Sequence, residues 1–171
     1  VATLEVAATV ADDSTLAQSL LKQPLTDMGV NIDEITSWSE ELGGLVSVAR
    51  TIAIEQDGEL VLDINNIGTQ LENEVPLATL KAVKDTFVNA NEETSTVILR
   101  TLFEDALCPS IVEEGFFNGY TNAQWANELN SLYVVAATMA NEDDKLVISE
   151  LSSLTTIKVA TLDAAATVID N

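Results

Sequence analysis

The residues with most chemistry to offer are carboxylates in two polar loops, Glu55-Gln56-Asp57-Gly58 and Asn141-Glu142-Asp143-Asp144. Asp57, and Glu142, Asp143 and Asp144 in the other loop, could chelate a hard cation such as Ca2+ together with nearby carbonyls. Neither loop keeps the alternating oxygen ligands and closing Glu of an EF-hand, so a capped, solvated loop is the favoured reading. The loop bearing Glu113, Glu114, Asn118 and Thr121 offers less. No other cofactor is expected.

The chain has no His and one cysteine, Cys108. Ser-His-Asp and Cys-His catalysis, His-containing zinc sites and Cys-rich metal sites are therefore excluded. Neither a Gly-x-Gly-x-x-Gly run nor a Gly-Lys-Ser/Thr loop occurs. Among 28 Asp and Glu, close carboxylate pairs arise by chance and none stands out as a general acid. An enzyme is not expected. Cys108, beside Pro109, reads as a small buried hydrophobe.

Those 28 acids face only 7 Lys and Arg, for a formal charge of −21. Such a surface repels phosphate backbones and anionic membranes, which argues against nucleic-acid binding. It favours solvation, cations or a cationic protein partner. No run of 18 apolar residues occurs, so membrane insertion by a helix is excluded. Hydrophobic residues are 47% but aromatics only 5%. A core built from Ala, Val, Leu and Ile suits close helix packing.

The elements that carry these loops recur along the chain. Val1-Ala2-Thr3-Leu4 returns as Leu77-Ala78-Thr79-Leu80 and as Val159-Ala160-Thr161-Leu162. Trp38-Ser39-Glu40-Glu41-Leu42 matches Trp125-Ala126-Asn127-Glu128-Leu129, and Leu45, Val46, Ala49 and Thr51 match Leu132, Tyr133, Ala136 and Thr138. Recurrence of this size points to stacked supersecondary units. The fold expected is all-α, a tandem repeat of about four short helices per unit, stacked as a solenoid or bundle array.

One helix begins at Trp38 or Trp125, capped in the first case by Ser37 or Ser39. After the acidic loop, Asp63 or Ser149 caps a second helix carrying Ile64 and Ile67, or Leu151 and Leu154. A β-hairpin from Thr51 to Asp63 competes there, because Asp57-Gly58 suits a tight turn. The third helix is the Ala-Thr-Leu motif, with Leu77, Leu80, Val83, Phe87 and Val88 as its apolar stripe. The fourth opens at Ser14-Thr15-Leu16 and Ser95-Thr96-Val97, with Val97, Ile98, Thr101, Leu102 and Leu107 buried. Pro24 and Pro109 should restrict the chain near the ends of these segments.

This order divides the chain into residues 1–36, the C-terminal half of a first unit, 37–122, a complete unit, and 123–171, the N-terminal part of a third. The chain is expected to be a window from a longer array or a subunit whose ends meet in a polymer. Phe116, Phe117 and Tyr120 form the aromatic cluster. It reads as an interface anchor or, more simply, as a plug between stacked units.

The succession of Trp-x-x-Glu-Leu, an Asp-rich loop, an apolar pair, an Ala-Thr-Leu helix and Ser-Thr-Val-Ile-Leu-Arg resembles the helical repeats of giant surface proteins from low-GC Gram-positive bacteria and their wall-less relatives. Trp38 to Leu107 would be one unit and Trp125 to Asn171 most of another. The low Lys content departs from that pattern. The resemblance implies an extracellular or cell-surface structural protein, a stalk or filament, whose partners are neighbouring repeats or identical subunits. It transfers no catalytic residue. The rival expectation is an acidic helical-repeat module that binds a basic or cationic partner.

Overall fold

The computed structural model describes residues 1–67, 71, 74–90, 96–103, 120–147 and 159–170. Helix dominates among them, in keeping with an all-α class. Helices α1 (Ala2–Val10), α3 (Trp38–Ile52), α4 (Leu77–Asn89), α6 (Asn122–Met139) and α7 (Val159–Ile169) form a row in which each packs on the next. Two more helices flank the row: α2 (Thr15–Asp27) lies beside α1, and α5 (Val97–Thr101) lies on α3.

Local sequence sets the helix starts. Ser14 Oγ accepts the Ala17 N–H at 3.3 Å, and Ser37 Oγ accepts the Glu40 N–H at 3.5 Å. Thr121 opens α6 with a reciprocal cap: Gln124 N–H donates to Thr121 Oγ1 and Thr121 N–H donates to Gln124 Oε1. That cap starts α6 three residues ahead of Trp125, earlier than the tryptophan alone suggests. Pro24 lies inside α2 instead of ending it, one turn before the C-terminus at Asp27.

The segment after α3 is the hairpin that the sequence offered as the competing reading. β1 (Ile54–Gln56) pairs antiparallel with β2 (Glu59–Val61) across the two-residue turn Asp57-Gly58. Both turn residues have positive φ, +53° and +80°, the conformation that lets a two-residue turn follow strand twist. Asp63 does act as a cap, its carboxylate accepting the Asn65 N–H at 3.1 Å, but the element it opens is a single 3-10 turn, Ile64–Asn66. The expected counterpart at Ser149, Leu151 and Leu154 lies outside the described residues, as do Leu107, Cys108 and Pro109. The second acidic loop leads instead to β4 (Lys145–Val147), which pairs antiparallel with β3 (Glu74–Pro76) just ahead of α4.

The core runs along the row. Leu42, Leu45 and Ala49 of α3, Leu80, Val83 and Phe87 of α4, and Trp125, Leu129 and Ala136 of α6 are all buried. Val88, expected on the α4 stripe, is exposed. It follows Phe87 by one position, so the helix turns it about 100° off the packed face.

α4 is a helix with two packed seams. On the α3 side, the Thr79 hydroxyl lies 2.8 Å from that of Thr51, and Thr86 faces Gly44. A Cβ on Gly44 would come within 2.8 Å of Thr86 Cγ2, so the glycine sets how closely the two helices approach. On the α6 side, Phe87 stacks on Trp125 with centroids 5.2 Å apart and planes inclined at 15°. The Lys84 ammonium lies 5.1 Å from the centre of the Tyr133 ring on the same side. Residues seven apart share a helix face, so Thr79 and Thr86 define one seam and Leu80 and Phe87 the other.

Candidate functional site

Glu41 is the one buried carboxylate among the described residues, 2% exposed. It lies in the first turn of α3, next to Leu42 in the core. Its two carboxylate oxygens accept the backbone N–H groups of Val97 and Ile98, each at 3.2 Å. These are free donors at the start of α5, and no side chain of α5 caps them. Glu41 therefore fastens one helix to another by accepting from donors 56 and 57 residues away in the chain.

Burial pushes the Glu41 carboxyl up to about 7; the Ile98 and Val97 amides and the charge of Arg100 hold it back, while Glu40 adds slightly to the rise. Arg100 itself pairs with Glu34 at 3.2 Å. A second carboxylate, Asp12, sits at the start of α3. It takes the Ser39 hydroxyl and, at 3.2 Å, the Ser39 N–H. The Ser39 hydroxyl bond is the main cause that lowers the Asp12 pKa. Both carboxylates act on helix ends.

The two ends of the helix row form the larger feature. In α1, Leu4 and Ala11 are buried against α3, while Thr3 and Val10 are exposed. In α7 the pattern reverses: Thr161 is buried, its hydroxyl 2.9 Å from that of Thr138 on α6, while Leu162 and Ile169 are exposed. Leu80 is 2% exposed on α4 and its motif equivalent Leu162 is 53% exposed on α7. Thus α1 has its threonine seam open, α7 has its leucine seam open, and α4 between them has both closed. Beside the open seam of α1, Val6, Val10, Leu16 and Leu20 line an apolar groove of about 470 Å³ between α1 and α2.

The residues singled out for chemistry are dispersed. Asp57 occupies the hairpin turn, while Glu142, Asp143 and Asp144 lie in the loop before β4. In that loop Asn141 Oδ1 accepts the N–H groups of Asp143 and Lys145, each at 3.0 Å, so its oxygen closes the turn. Among the described residues no three Asp, Glu, Cys or His side chains gather where they could hold a metal ion. Tyr120 is half-buried against the core; Phe116 and Phe117 lie outside the described residues, as do Glu113, Glu114 and Asn118.

Sequence reasoning missed Glu41 and the threonine seams. The signal for Glu41 was its place beside Leu42, on the inward side of a helix start. That for the seams was the threonine shared by all three Ala-Thr-Leu motifs, pairing with Thr51 or Thr138 in two of them.

Comparison with known proteins gives no matching family model, no matching curated protein and no matching solved structure. Among the described residues no helix is long and apolar enough to cross a membrane.

Proposed function

We propose that this chain is a non-enzymatic structural protein, a stack of helical units of about four short helices each, serving in an extracellular array, surface stalk or filament. The observation that carries this reading is the two-seam helix α4. The same motif helix recurs at each end of the row with one seam covered and the other open. A unit of this kind coheres with its neighbours by burying the Leu seam on one side and the Thr seam on the other, the nearest-neighbour logic of repeat arrays. The Glu41 carboxylate anchors the fourth helix of the unit to the first, which keeps the stack in register.

The acidic exterior supports the same reading. At −21 the copies repel sideways, so they stay apart except where an apolar end is offered. Static light scattering of the 171-residue chain over a range of salt and protein concentration tests this. Association through apolar ends should strengthen as salt screens the repulsion. Association that weakens with salt would mean that charged contacts, and not apolar ends, hold the copies together.

A further inference from the structure

We infer that copies of the chain join by helix exchange: α1 and α2 of one copy take the place on α6 that α7 holds within a single chain. This deepens the stacking role proposed above and rests on it.

The two competing helices are nearly the same helix. Residues 1–10 and 159–168 read VATLEVAATV and VATLDAAATV, differing only where Glu5 faces Asp163 and Val6 faces Ala164. The seat on α6 is defined by Thr138, whose hydroxyl meets that of Thr161. Thr3 supplies the same hydroxyl from the same motif position, and it stands exposed on α1. After exchange α1 keeps Leu4 and Ala11 on its own α3 and lays Thr3 and Val10 on the other copy's α6. It would then be covered on both sides, as α4 is. The incoming helix thus continues the existing α6–α7 interface with the same side chains.

Two further observations tip the balance from α7 to the incoming pair. First, Leu16 and Leu20 of α2 are exposed, whereas Val97, at the place in the Ser-Thr-apolar motif that Leu16 holds, is buried on α3. The exchanged pair carries those leucines to α6, and α7 has nothing to match them. Second, Glu128 holds on α6 the position that Glu41 holds on α3. It is half-exposed and has no hydrogen bond among the described residues. In the complete unit the Glu41 position receives the N–H groups of Val97 and Ile98. The equivalent amides of the incoming copy belong to Leu16 and Ala17 at the start of α2; Ser14 caps that of Ala17, and Glu128 is the acceptor placed to receive that of Leu16. The contact is heterologous, so it does not close on itself and adds copies in one direction.

A covalent trap tests this. In a Cys108→Ser background, Thr3→Cys with Thr138→Cys is incubated in high salt with diamide and run without reductant. The expected result is a ladder of linked dimers and longer chains that collapses on reduction. Thr3→Cys alone should stop at dimers. A companion, Thr138→Cys with Thr161→Cys, bonds α7 to α6 inside one chain. It should hold the protein at 18.3 kDa in scattering and release it to associate on reduction. No ladder, or a locked companion that associates as fully as the unlocked chain, overturns the exchange. Stacking itself would survive the second outcome, because copies would still associate with α7 in place.

Discussion

The hydroxyls of Thr51 and Thr79 meet at 2.8 Å across the seam between α3 and α4. Thr79 is buried there, whereas Thr3, its equivalent in α1, is exposed. Thr79→Val keeps the shape and removes the bond, leaving Thr51 with the Val48 carbonyl. It should cost about 0.5–1.5 kcal/mol in chemical unfolding, while Thr3→Val should leave stability of the dilute chain unchanged.

The leucine seam gives a sharper contrast between identical substitutions. Leu80→Ala should destabilise by about 2–5 kcal/mol, since it removes a fully buried side chain from the core and leaves a cavity there. Leu162→Ala at the end of the row should fall within about 0.5 kcal/mol, as surface changes do. Urea midpoints at constant slope measure both.

Gly44 is required by distance and not by backbone conformation. Gly44→Ala would place a methyl 2.8 Å from Thr86 Cγ2 and should cost about 1–3 kcal/mol by pushing α3 and α4 apart. Adding Thr86→Ser removes the clashing methyl and should recover part of the loss in thermal melting.

Glu41 makes stability depend on pH. Its carboxyl rises from 4.5 to about 7 on folding. Between those values the folded chain holds a proton that the unfolded chain has released, so stability falls as pH rises through that window. The loss is complete above about pH 7 and amounts to about 3 kcal/mol. Glu41→Gln lacks this dependence. Relative to the natural chain it should gain stability from about pH 4.5 to about pH 7 and then level off, in unfolding experiments at fixed salt. A constant difference would mean that folding does not move the Glu41 pKa.

Much of the fold could be read from residue spacing. A serine cap at Ser37 or Ser39, the start of α3 at Trp38, the apolar face from Leu42 to Ile52 and the motif helix at Leu77 all come from local preference and period, and the structure assigns the cap to Ser37. The hairpin at Asp57-Gly58 was harder, because Ile64 and Ile67, three apart behind the Asp63 cap, pointed to a helix after the loop. The two positive φ values of the turn decide it. The candidate site was far less legible. Glu41 looks like any acidic residue in a first helical turn, since its amide partners sit on an element 56 residues away. The roles of Thr79 and Thr161 depend on which helix lies alongside, and only the packed row assigns one.

The central claim is that this chain works as one member of a cohering array. The most direct test is the mass of the native particle in its source, by native mass spectrometry beside the intact polypeptide mass. The expected result is a particle several times 18.3 kDa, whether joined covalently or by stacked copies. A native particle of 18.3 kDa, alone and monomeric, would contradict it.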